Sequence, residues 1–108
     1  MPNDSYAFYP DLVAEAEPPP RGIHSQTLSD ADGVELVLFA MAKGEQLSEH
    51  TSARPAIVHV LAGEGELVVA GDEHPLRPGA WLRMAPRTTH AILARSPLSF
   101  ALYLLPRP

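Results

Sequence analysis

The 108-residue chain contains no cysteine. A disulfide framework, a thiolate metal site and a cysteine nucleophile are therefore excluded, and any metal must be held by His, Asp, Glu or water. Basic residues are few: eight Lys and Arg stand against thirteen Asp and Glu, for a formal net charge of −5. Such a balance does not suit a protein that neutralises phosphates, so neither nucleic acid nor an anionic membrane is an expected partner. No apolar run approaches the roughly 18 to 20 residues of a membrane-spanning helix. The start, "MPNDSYAFYPDLVAEAE", has neither the basic n-region nor the apolar h-region of a secretory signal. The expected location is the cytoplasm. Helical periodicity is nearly absent as well, which argues against an α-helical fold.

What is present points to β-structure. Hydrophobic residues make up 45% of the chain and charged residues 19%, the balance of a globular protein. The length suits one domain with one core, which buries roughly 60 to 70% of the unfolded surface. Twelve prolines and seven glycines are spread along the chain, most of them between short apolar segments and not inside them. The spacing predicts strands over Ile23 to Leu28, Val34 to Ala42, Gln46 to Thr51, Ala56 to Ala62 and Glu66 to Ala70. Four more follow over His74 to Leu76, Trp81 to Ala85, His90 to Ala94 and Leu98 to Leu105. Short strands at roughly 8 to 12 residue intervals belong to an all-β sandwich or barrel.

The first 21 residues are of different character and form an expected N-terminal arm, with the barrel domain spanning 22–108. Tyr6, Phe8 and Tyr9 are followed by an acidic stretch, a segment from Pro10 to Glu17 that can form about two helical turns, and the stiff connector Pro18 to Pro20. The arm is either partly mobile or pinned by its aromatics to its own barrel or to a second subunit.

Two segments carry recognisable motifs. In "GEQLSEHTSARPAIVHVLAGEGEL" a glycine, Gly44, precedes His50, and an apolar strand closes on a Gly63-Glu64-Gly65 turn. In "RPGAWLRMAPRTTHAIL" Gly79 is followed by an apolar strand, Pro86 and His90. Their order and separation resemble the paired motifs of the cupin superfamily, and the resemblance extends over roughly Gly22 to Leu105. It implies a double-stranded β-helix of jelly-roll type, of the small single-domain RmlC-like kind, with a conical interior that serves the family as a metal and ligand site.

In the family, four side chains, His-x-His with a following Glu and a second-motif His, commonly hold a divalent metal. His50 and His90 match the first and last of these. Ser52 stands where the second histidine would be, Ala56 where the glutamate would be, and Ala80 replaces an acidic residue often found after the second-motif glycine. His59 is the one other histidine close to the motifs. Strand alternation sets Ala56, Val58 and Val60 on one side and Ile57, His59 and Leu61 on the other, away from His50. A bulge between Pro55 and Ile57 would reverse that parity and turn His59 inward. With His59, three imidazoles with open positions could hold Zn, Fe, Ni or Mn; with His50 and His90 alone the site is a weak one or a polar pocket. His24 and His74 read as solvated side chains. The expected ligand pocket draws on Ser52, Val58, Trp81 and Arg83, the arginine being a candidate carboxylate partner. Glu49, adjacent to His50, faces the other side by alternation and is a poor general base.

The resulting expectation is a protein that binds a small organic ligand, with or without a divalent metal, in the barrel cavity. The competing expectation is a metal-dependent oxygenase or isomerase, a class implied by the resemblance alone; a structural dimerisation module is the third. Because strand Ala56 to Ala62 is apolar on both sides, a homodimer burying Ile57 or Leu61 together with part of the arm is also expected.

Overall fold

A computed structural model describes residues 5–107; the first four residues of the arm and the last residue of the barrel span lie outside the described residues. Among the described residues nine strands, β1 (Ile23–Ala31), β2 (Val34–Met41), β3 (Gln46–His50), β4 (Ala56–Ala62), β5 (Gly65–Val69), β6 (Asp72–Leu76), β7 (Trp81–Met84), β8 (His90–Ala94) and β9 (Leu98–Leu104), form two antiparallel sheets. One sheet has the order β1-β2-β9-β4-β7 and the other β3-β8-β5-β6. Apart from the β1–β2 and β5–β6 hairpins, consecutive strands cross between the sheets, which is the jelly-roll way of enclosing a core without one continuous barrel wall.

The strands form where alternating apolar residues find an opposing sheet. Val58 and Val60 on β4, Leu67 on β5, Ile92 on β8 and Leu98 and Phe100 on β9 are buried between the sheets. Phe100 stacks on Phe39 of β2 with ring centroids 5.0 Å apart. Two hairpin tips differ from the expected boundaries. β1 runs on to Ala31 and reverses through Asp32 and Gly33 alone, both at positive φ, so Ser29 to Ala31 belong to the ladder and not to a long turn. Likewise Ala70 and Gly71 form a two-residue reversal, and β6 begins at Asp72. The turn between β4 and β5 needs its glycine: Gly63 has φ +84°, and a Cβ there would overlap the carbonyl of Pro97 and lie 2.8 Å from Leu98 Cα.

The expected two-turn helix is a single turn, α1 (Leu12–Glu15). Asp11 is its extended N-cap and accepts from the amides of Val13 and Ala14 at 3.0 and 3.4 Å. Pro18 disfavours helical geometry at Glu17, which keeps the far end short. The arm lies on the outer face of the five-stranded sheet of its own chain. Ala16 is buried against Leu38 and Ala101, with Leu12, Leu28, Leu36, Leu61 and Tyr103 around them. Tyr9 Oη donates to Leu28 O at 2.9 Å and Gln26 Nε2 donates to Glu15 O at 2.8 Å. The second apolar side of β4 and β9 is thus partly covered within the chain, while Tyr6 and Phe8 remain 69% and 75% exposed.

Candidate functional site

His50 and His90 meet across the β3–β8 pair, and an irregularity in β3 brings them together. Leu47 is opposite Ile92, so unbroken register would set Glu49 against His90; one additional residue between Leu47 and His50 sets His50 there instead. A bulge of this kind turns the next side chain to the other face of the sheet. His50 thereby joins Leu47 on the inward side, opposite a histidine whose neighbour Ile92 faces the core. The two imidazole rings lie 4.1 Å apart, centroid to centroid, inclined at 59°.

Each ring is held by the same local device. His50 Nδ1 donates to Ser48 O at 2.7 Å, and His90 Nδ1 donates to Thr88 O at 3.0 Å, both bonds running back two residues. Because a carbonyl can only accept, the neutral form of each ring carries its proton on Nδ1. Each Nε2 then has a free lone pair, the tautomer that metal-binding histidines adopt when the other nitrogen is tied back. His90 is 7% exposed whereas His50 is open to solvent. Burial holds the His90 imidazole below its ordinary value of 6.5; its hydrogen bond to Thr88 opposes that shift and the adjacent His50 adds to it. His90 is therefore poised to stay neutral.

Behind the histidines the barrel is nearly full. Phe39, Leu47, Val58, Ile92, Phe100 and Leu102 close around a space of about 30 Å³, the share of a single water molecule. A guest at the pair is accordingly an ion, a water or one polar group of a larger ligand lying at the mouth.

The remaining expected site residues separate into different places. Val58 lines the cavity. Ser52 does not: its hydroxyl accepts from the amide of Arg54 at 3.1 Å within the β3–β4 loop, and its carbonyl accepts from the amide of Arg87 at 2.7 Å, tying that loop to the one between β7 and β8. Arg83 and Trp81 pair with Ile57 and His59 respectively, on the outer side of the five-stranded sheet, and both are exposed. The inward placement of His59 is overturned for the same reason. Residues Ala56 to His59 hold continuous register with both β7 and β9, and the irregularity of β4 falls between Val60 and Ala62, too late to turn His59. Among the described residues no three His, Asp or Glu come close enough to hold a metal ion. The pair fits a divalent metal in kind and orientation of donor but supplies only two protein ligands. Sequence reasoning missed the Ser48 and Thr88 carbonyls, which no side-chain pattern signals, and Leu47, Phe100 and Leu102, which read there only as strand residues.

Comparisons with known proteins agree with this fold. No curated protein matches the sequence. Among solved structures, a conserved protein of unknown function from Streptococcus pyogenes superposes with a TM-score of 0.83 at 22% identity, covering 95% of this chain and 90% of its own. A cupin superfamily protein from Desulfitobacterium hafniense gives 0.83 at 23% identity, covering 98% and 94%. KdgF from a Halomonas species gives 0.72 at 24% identity, covering 80% and 81%. At these identities the likeness establishes the fold. The cupin domain family model matches residues 37–105, which take in both histidine motifs and the bulge that joins them, and the chain belongs to the cupin superfamily.

Proposed function

We propose that this cupin is a small-ligand-binding protein whose polar centre is the His50–His90 pair. The observation that carries the reading is the shared tethering of the two rings: both Nδ1 atoms are committed to backbone carbonyls and both Nε2 atoms are left as acceptors on adjacent strands. Two such acceptors suit a divalent cation of the Zn, Ni, Fe or Mn class, held exchangeably, with water or an oxygen- or nitrogen-bearing ligand in the open positions. A bound ion would serve as a Lewis acid that anchors the ligand. Binding is favoured over catalysis because, among the described residues, the wall of the cavity carries no acid, base or nucleophile besides the two imidazoles. Part of the outer sheet face and the exposed aromatics of the arm fit a second copy of the chain, and we include a homodimer in the proposal.

Elemental analysis of protein purified without a metal-binding tag tests this reading. The expected result is little metal as isolated and uptake of about one added Zn or Ni ion per chain, abolished by His50→Ala combined with His90→Ala. Stoichiometric metal that survives a chelator would instead indicate a complete ligand set and favour a metal-dependent enzyme; failure to take up either ion would remove the metal from the proposal.

A further inference from the structure

A second cavity lies away from the histidine pair. β6 and β7 are terminal strands of different sheets and are not hydrogen-bonded to one another. Between them a slot of about 360 Å³ opens along the side of the sandwich, within the range of roughly 300 to 1,000 Å³ common to small-molecule sites. Leu67, Leu76, Ala80 and Leu82 line it, with Val58 shared between this slot and the cavity behind the histidines. No Asp, Glu, Lys or Arg lines it among the described residues.

One polar side chain is aimed at the slot. His74 is paired with Leu67, and the alternate residue Leu76 with Gly65, so His74 stands on the inward side of the four-stranded sheet. It remains exposed because β6 is an edge, and it has no hydrogen-bond or ion-pair partner among the described residues. Trp81, the only tryptophan of the chain, stands at the opposite rim and is 61% exposed. Neither edge favours an added strand: β6 contains Pro75, which lacks an amide N–H, and β7 is four residues long.

We propose that this slot is a separate binding site for a small, neutral, largely apolar molecule carrying a single hydroxyl or carbonyl group. The uncharged lining selects against a carboxylate or ammonium, whose desolvation nothing in the slot would offset. The lone imidazole of His74 supplies the one directional contact, as donor or acceptor according to its tautomer. This site goes beyond the proposal for His50 and His90 and does not depend on it.

The test uses the intact ¹⁵N-labelled chain and 2-naphthol as probe, followed through the single indole N–H resonance of Trp81. A saturable shift with Kd below about 1 mM is expected. His74→Ala should weaken it about fivefold, the equivalent of one ordinary hydrogen bond. Ala80→Phe, which fills the slot, should abolish it, and naphthalene-2-sulfonate should bind at least about tenfold less tightly because its charge is unmatched. The His50→Ala, His90→Ala double variant should bind 2-naphthol as the parent does, so loss of metal uptake and loss of probe binding are read independently. Absence of saturation, equal binding of the sulfonate, or loss of the shift in the double variant would overturn the proposal. So would an affinity that falls as protein concentration rises, since a second copy would then be the occupant. His74 is exposed and its alanine variant is expected to keep the fold, so the test stands even if Ala80→Phe does not fold.

Discussion

Lowering the pH should leave His90 neutral below the point at which an ordinary histidine becomes charged. The rings are 4.1 Å apart, and His90 is 7% exposed, so charging it requires removing an imidazolium from water beside another imidazole. Its pKa in the folded protein lies below 6.5, burial being the main cause. In the unfolded chain the same residue titrates near its ordinary value. Between these two pKa values the unfolded state binds more protons than the folded state, so stability falls as pH falls through that window and is unaffected by His90 above it. For one proton the slope is at most about 1.4 kcal/mol per pH unit. Urea unfolding of the parent and of His90→Gln at a series of pH values from 7.5 to about 5 measures it as a difference, which cancels the other histidines. The parent should lose stability relative to the variant as the pH is lowered. Imidazole ¹⁵N spectra should show His90 neutral and protonated on Nδ1 at pH 7. A His90 that titrates at or above 6.5, or a variant with the same pH dependence as the parent, would refute the burial argument.

Other perturbations have equally definite outcomes. Gly63→Ala should destabilise the fold by at least about 3 kcal/mol in chemical denaturation, because a methyl group there meets the Pro97–Leu98 backbone and the residue is at positive φ. Tyr9→Phe should reduce stability by about 1 kcal/mol by removing the tie from the arm to Leu28. His59→Ala should leave metal uptake unchanged in elemental analysis, since His59 is paired with Trp81 and Ala101 on the outer face. Sedimentation at micromolar concentration should show a dimer, weakened by deletion of residues 1–20; a clean monomer would dismiss the second copy.

The strands were legible because Gly and Pro stand between apolar segments, and the inward side of β4 followed from the alternation of Ala56, Val58 and Val60. The two-residue tips at Asp32-Gly33 and Ala70-Gly71 were read too long: a polar run such as Ser29 to Gly33 looks like a loop until its partner strand is known. Proximity of His50 and His90 was available only through the resemblance to the cupin motifs, since forty residues separate them along the chain. The bulge that joins them was not legible. It is set by how β3 registers against β8, and Pro55, the one residue that hinted at an irregularity, lies beyond it. Arg83, expected in the pocket, stands on the outer side of β7, and Trp81 on the same side borders the β6–β7 slot and not the histidine cavity; His74 is exposed as expected, yet shares the parity of buried Leu76. Alternation within "HPL" contained the signal of that shared parity.

The central claim, that His50 and His90 present two free Nε2 atoms to one guest, is most directly tested by titrating Zn²⁺ into the labelled protein while recording long-range imidazole ¹⁵N spectra. The account predicts that the Nε2 resonances of both residues shift together to one endpoint near one ion per chain, with both Nδ1 atoms still protonated and His59 unmoved. A shift of one ring without the other, or through Nδ1, would contradict it.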